Sequence, residues 1–240
     1  MQNRYAGDVG DFGKLGLLRG LTSSQLDIGV NWYLTPDENH NADGKHIGYI
    51  TDTRYKGCDD SLRNSLEKIV EGERSVSSLE AMDLVPNAVY YHEVLYSPSQ
   101  TFSRRDWHIK ALEVLSSADV IFLDPDNGLL VRSVSTGSAK SNKYVISSEI
   151  ADYFAAGKSV IFYNHRSREK ESVYLRRFAW MYEDSILKDA VIAGMTFKRG
   201  TVRDYIFAMQ PGHAPKIMEC LDNMLQSPWG DHFSELNLTR

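Results

Sequence analysis

One stretch constrains this 240-residue chain more than any other: Val120-Ile121-Phe122-Leu123 running straight into Asp124-Pro125-Asp126-Asn127-Gly128. The apolar run is short, β-branched and aromatic, which reads as a buried strand. It cannot continue, because Pro125 has no amide proton to give a sheet and Asn127-Gly128 is a turn signal. Two carboxylates and an amide are thus delivered to the end of a core strand. In an open α/β sheet, ligands bind outside the carboxyl ends of the strands.

A second strand–helix unit repeats the pattern. Gln100 to Ser117 reads as a long helix, with Trp107, Ala111, Val114 and Leu115 inward and Arg104 and Arg105 in solvent. After the key strand, residues 128–147 are polar and are expected to form a mobile loop. Ser148 to Ala156 reads as a short helix. Ser159-Val160-Ile161-Phe162-Tyr163 is then another buried strand, and it ends in Asn164-His165-Arg166. Alternating strands and helices predict a parallel sheet, so Asp124, Asp126 and Asn127 should share a crevice with Asn164, His165 and Arg166.

The rest of the chain fits one α/β domain over 1–240. Residues 4–20 hold Gly7, Gly10 and Gly13 before Lys14, but lack the Gly and Ser/Thr of a phosphate-binding loop. They read instead as a helix capped by Asp8 or Asp11, with Leu15, Leu17, Leu18 and Leu21 on its apolar side. Ile28 to Thr35 and His46 to Thr51 are strand candidates separated by only about eleven residues. That is too short for a crossover helix, so an antiparallel pair is expected. The link holds Asp37, His40 and Asp43, which with His46 match no zinc spacing and read as a solvated loop. Asp59 to Glu71 is an amphipathic helix, Val76 to Leu84 a shorter one, and Ala88 to Tyr96 a strand. Glu169 to Ile186 reads as helical. Ala190–Phe197 and Thr201–Met209 form a C-terminal hairpin about Lys198-Arg199-Gly200. A helix over about Pro215 to Gln226 and a tail packed through Trp229 and Phe233 complete the chain.

Composition narrows the function classes. No apolar run approaches the ~20 residues of a membrane span, no secretory leader is evident, and Cys58 and Cys220 form no metal or disulfide pattern. A cytoplasmic protein is expected. The net charge is −5, yet residues 97–210 carry sixteen Lys and Arg against thirteen Asp and Glu. Local contact with RNA or DNA is compatible with that distribution.

A mostly parallel sheet closed by a C-terminal antiparallel hairpin, in a Rossmann-like three-layer αβα sandwich, resembles the class I methyltransferases that use S-adenosylmethionine. VIFLDPDNG is similar to their Asp/Asn-Pro-Pro-aromatic motif for amino groups of nucleic-acid bases, with Asp126-Asn127 in place of Pro-aromatic. The opening Ala6-Gly7-Asp8, Asp11 and Lys14 resembles the N-terminal segment of the RlmJ-type ribosomal RNA adenine-N6 methyltransferases. The resemblance implies that Asp124 orients a target amine with Asp126 or Asn127. Gly7, Asp8, Asp11 and Lys14 would then lie over cofactor and base, with Thr35, Asp37 and Asp52 at the ends of the early strands and either Asp37 or Asp52 on the ribose hydroxyls. Asn164, His165 and Arg166 would meet the substrate.

Two other readings remain open. Asp124 and Asp126 could be the Asp-x-Asp of a Mg²⁺-dependent phosphoryl-transfer enzyme, or could serve a metal-dependent nuclease with Asp8 or Asp11. The pocket could also belong to a non-catalytic nucleotide-binding module.

Overall fold

The computed structural model describes residues 1–38, 44–95, 103–199 and 201–238. His40, Asp43, the start of the helix expected from Gln100 and the hairpin's Gly200 lie outside the described residues. Helix α1 (Val9–Leu21) begins where Asp8 accepts hydrogen bonds from the Gly10 and Asp11 amides, at 2.7 and 3.0 Å. Those bonds satisfy two amides that the first helical turn leaves unpaired. Strand β1 (Ile28–Asn31) follows, then α2 (Asp60–Glu71) capped by Asp59, α3 (Val76–Ala81) and β2 (Val89–Tyr91). Next come α4 (Arg104–Val114), β3 (Val120–Leu123), the two-residue strands β4 (Gly128–Leu129) and β5 (Tyr144–Val145), and α5 (Ser147–Ala155). The chain continues through β6 (Ser159–His165), α6 (Glu171–Leu175), α7 (Trp180–Glu183), β7 (Val191–Arg199), β8 (Thr201–Met209), α8 (Ala214–Leu225) and β9 (Phe233–Glu235).

Seven strands form one sheet in the order β2-β1-β3-β6-β8-β7-β9. The first four are mutually parallel, and β8, β7 and β9 extend them antiparallel. This is a Rossmann-like α/β fold with the expected C-terminal hairpin. Helices cover both faces. Phe122, Ile161, Tyr205 and Phe207 point into a core shared with α1, α2 and α8. Ile121, Leu123, Phe162 and Ile206 point into a second core with α4 and α5. The two-residue alternation along a strand sorts these side chains to opposite faces. Among the described residues no helix is long and apolar enough to cross a membrane.

Helix α1 lies unusually close to the sheet and the C-terminal tail. Its glycines recur every three residues, so they fall on one face. A Cβ on Gly10 would stand 2.7 Å from Arg203 Nε, on Gly13 2.8 Å from the Phe197 ring, and on Gly16 2.3 Å from the Trp229 ring. The glycine rhythm is thus a contact surface. Trp229 and Phe233 pack back as expected, and both are buried.

Several local readings are corrected. The strand expected over 46–51 is a 3₁₀ turn at Gly48–Ile50, whose Tyr49 stacks on Phe12 with centroids 4.9 Å apart. Tertiary packing, not pairing, makes that segment apolar. The expected antiparallel pair therefore does not form. β1 instead pairs in parallel with β2, across a crossover that contains α2 and α3. The helix expected over Glu169–Ile186 is broken into α6, a 3₁₀ turn at Arg176–Phe178, and α7. In α4, Val114 is exposed, while Arg104 turns inward to pair with Glu149 at 2.7 Å. Residues 128–147, read as a polar loop, carry the parallel β4–β5 pair and a 3₁₀ turn over Ala139–Lys143. Arg104 ties them down through the Ser141 and Tyr144 carbonyls.

Candidate functional site

The strand order places β1 between β2 and β3, so successive connections leave β1 in opposite directions. A crevice opens at such a switch point, outside the carboxyl ends of the strands. Beside it, at the carboxyl ends of β3 and β6 and the facing start of β8, the structure has a pocket of about 410 Å³, within the ordinary size of a small-ligand site. Asp124, Pro125, Asp126 and Asn127 form one wall, the start of α1 a second, and β6 and β8 a third.

Lys14 is the centre of the polar arrangement. Its Nζ lies 2.7 Å from Asp11 Oδ1 and 2.5 Å from Asp124 Oδ2, and all three side chains are almost fully buried. α1 is thereby pinned to the end of β3. Burial alone favours a neutral amine, but Asp11 and Asp124 outweigh it and push the Lys14 pKa up, so Lys14 stays charged. One ammonium shared between two buried carboxylates does not fully compensate either. Burial pushes both Asp11 and Asp124 up despite the attraction of Lys14.

Asp126 is set differently. The Met1 nitrogen stands 2.8 Å from Asp126 Oδ1, and Gln2 Nε2 donates to Oδ2 at 2.7 Å. Burial opposes ionisation of Asp126, but the Met1 ammonium and Gln2 prevail and hold it below the usual carboxylate range. The same Met1 nitrogen donates to the carbonyls of Tyr33, at 3.0 Å, and Asp124, at 3.1 Å. These carbonyls lie just beyond β1 and β3, so three acceptors converge on one nitrogen at the mouth of the crevice.

The turn after Asp126 is held by its surroundings. Gly128 has φ +103°, and a Cβ there would stand 2.1 Å from Asn164 Oδ1. Only glycine fits that backbone and that contact. Asn164 Oδ1 accepts from the Leu129 amide at 2.8 Å, and Asn164 Nδ2 donates to Tyr174 Oη at 2.7 Å. Lys143 forms an ion pair with Glu38 across the pocket's outer edge.

The structure brings together Asp124, Asp126 and Asn127 with Asp8, Asp11, Lys14 and His165, all of which line the pocket. The other anticipated residues stand elsewhere. Gly7 lies behind Asp11 and donates to its Oδ2 at 2.9 Å. Thr35 is buried against the Met1 carbonyl, and Asp37 accepts from the Arg4 amide. Asp52 caps the turn at Thr53–Tyr55 and pairs with Arg54 at 2.5 Å. Asn164 is a buried support for the turn. Arg166 points to Asp204, which accepts from its Nε and Nη2 at 2.9 Å each. These side chains follow their nearest opposite charge or unpaired backbone group, which strand order alone does not reveal.

Sequence reasoning passed over Tyr5, Tyr163, Arg203, Tyr205, Lys143 and Met1, which also line the pocket. One signal was available: Arg203 and Asp204 put two adjacent charges near the start of a largely apolar strand, and alternation puts Arg203 and Tyr205 on the same face. Among the described residues, no group of three or more His, Cys, Asp and Glu could hold a metal ion. In the Asp11–Asp124 gap, the cation is Lys14.

No protein-family model matches this chain, and no curated protein does. Among solved structures it is similar to the crystal structure of protein LPL1258 from Legionella pneumophila, of family DUF519. The TM-score is 0.51 at 11% sequence identity, over 96% of this chain and 97% of that one. The likeness is one of fold, and it extends over the whole α/β architecture.

Proposed function

We propose that this chain is an S-adenosylmethionine-dependent methyltransferase-like protein, acting in the cytoplasm on an amino group of a base in RNA or DNA. The observation that carries the reading is Asp124: a buried carboxylate at the carboxyl end of β3, beside the switch point, paired with Lys14 and facing a pocket with tyrosines. Methyl transfer to an amine asks for orientation more than for acid–base power. Lys14 holds Asp124 Oδ2, and the other oxygen is the acceptor for a hydrogen bond from the target amine. That bond points the nitrogen lone pair away from Asp124 and into the pocket. Burial raises Asp124, which suits it to take the proton that the methylated amine sheds.

The residues present fit the cofactor at its amino-acid end. The Tyr33 and Asp124 carbonyls and the Asp126 carboxylate surround a nitrogen, an environment for an α-ammonium that would displace the Met1 nitrogen. Glu38, on the pocket rim, is the carboxylate placed for ribose hydroxyls, in place of Asp37 and Asp52. When bound, the cofactor supplies an already activated methyl group.

The Mg²⁺-dependent phosphoryl-transfer and nuclease readings have less support, because Lys14 already bridges Asp11 and Asp124 where a divalent ion would have to sit. Calorimetric titration of the protein with S-adenosylhomocysteine, without metal, tests the choice. One-to-one binding is expected, with affinity at least about tenfold lower in Asp126→Asn, a loss of roughly 1.4 kcal/mol or more. No binding by the unaltered protein, together with Mg²⁺ binding that the Asp124→Asn/Asp126→Asn double variant loses, would replace this reading with phosphoryl transfer.

A further inference from the structure

The pocket wall made by β6 and β8 has no role in the arrangement around Lys14. In the sheet register, Leu123 pairs with Phe162 and Tyr163 pairs with Tyr205. Asp124, one residue past Leu123, therefore falls on the same row as Tyr163 and Tyr205. Paired residues on neighbouring strands point to the same face, and strands lie about 4.8 Å apart, so this row crosses roughly 10 Å of the sheet. Phe122, Ile161, Phe207 and Tyr205 all point toward α1, which fixes the face. The row thus lies under the pocket, with a carboxylate at one end, a tyrosine ring in the middle and a second tyrosine at the other end.

Tyr205 is fully buried, lines the pocket, and its hydroxyl has no hydrogen-bond partner among the described residues. Its ring is held by Phe122 and Phe233, with centroids 6.0 Å away in each case, and by Tyr163 at 6.2 Å. That packing sets the ring position without using the oxygen. A buried hydroxyl without a partner is costly, and in folded proteins such a group calls for an explanation. A phenylalanine would fill the same space at no such cost.

We propose that Tyr205 is a specificity-determining residue, whose hydroxyl donates to a ring acceptor of an aminated heteroaromatic base lying across Tyr163. The inference rests on the reading that Asp124 takes the amine of that base. Asp124 accepts from the exocyclic amine at one edge of the ring, Tyr163 supplies an aromatic face beneath it, and Tyr205 reads a ring nitrogen at another edge. A base that offers an N–H or C–H in that position leaves the Tyr205 hydroxyl unpaired and is discriminated against. Burial pushes the Tyr205 hydroxyl up, which favours its protonated, donating form.

The test is a cycle between protein and ligand. Adenosine and its 1-deaza, 3-deaza and 7-deaza analogues, each lacking one ring nitrogen, are titrated into the unaltered protein and into Tyr205→Phe. Adenosine should bind Tyr205→Phe about five- to tenfold more weakly, the size of one hydrogen bond. One deaza analogue should show the same loss on the unaltered protein and no further loss on the variant. The thermal midpoint of Tyr205→Phe should be unchanged or higher, which separates a ligand contact from a structural one. Equal adenosine affinity in both proteins overturns the proposal, as does a midpoint that falls in step with affinity. Failure of adenosine to bind the unaltered protein overturns it too. S-adenosylhomocysteine titrated in parallel reports on the methyltransferase reading separately: a positive cycle without homocysteine-nucleoside binding would leave Tyr205 in its role and remove the methyl transfer.

Discussion

Removing the Lys14 charge should damage the fold far more than removing the charge of Asp124, although the two groups touch. Asp11, Lys14 and Asp124 are two carboxylates around one ammonium, at 2.7 and 2.5 Å, buried together. Lys14→Met keeps the apolar stem and most of the volume but strands both carboxylates. Breaking a buried pair by deleting one partner costs about 3–5 kcal/mol. For a chain of this length about 2–4 °C is lost per kcal/mol, so the midpoint should fall by roughly 6–20 °C. Asp124→Asn leaves Lys14 paired with Asp11, keeps an acceptor oxygen beside Nζ, and takes away the surplus negative charge. Its cost should be about 1 kcal/mol or less.

The pH dependence gives a second handle on the same reasoning. Carboxyls raised in the folded state bind protons there that the unfolded chain does not, so their contribution to stability improves as pH falls toward their folded pKa values. In Lys14→Met the two carboxyls lose the cation that opposed this rise. The deficit of the variant should therefore shrink as the buffer is taken from about pH 8 to about pH 5. Differential scanning calorimetry of both variants over that range is the assay. A Lys14→Met protein as stable as the parent at high pH, or an Asp124→Asn protein less stable than Lys14→Met, would refute the argument that one buried cation balances two anions.

Two further outcomes are expected. Gly16→Ala should lower stability by about 1–3 kcal/mol through overpacking, because its methyl would stand 2.3 Å from the Trp229 ring, whereas Gly20→Ala, with nothing within 4 Å, should leave stability unchanged or raise it by up to about 1 kcal/mol; equal denaturant midpoints would show that α1 does not depend on its glycine face. The Asp126 carboxyl is held low in the folded protein, so its contribution to stability is fully present above the unfolded value near 3.8 and is lost as pH falls below it. Asp126→Asn should therefore flatten the acid limb of a stability–pH curve, and an unchanged limb would assign acid unfolding to other groups.

The sequence by itself determined the alternation of β3 and β6 with helices, the terminal hairpin, and the arrest of β3 at Asp124-Pro125. These are consequences of local chemistry: apolar runs of strand length, a proline without an amide proton, and residues that favour turns. That α1 is capped by Asp8 or Asp11 was legible for the same reason, and the structure selects Asp8. The tertiary structure alone decided the pairings. β1 takes β2 as its partner across a long crossover, and the apolar segment at 46–51 docks on Phe12 instead of joining the sheet, because side-chain packing there outweighs strand propensity. Pocket membership was likewise beyond local reading. Arg166 turns to Asp204 and Asp52 to Arg54, each drawn to a nearby opposite charge, while Tyr163 and Tyr205 reach the pocket only through the register of β3, β6 and β8. Lys14 stood in the sequence 110 positions from Asp124. Only the close approach of α1 to the sheet, which its glycines permit, places the two in contact.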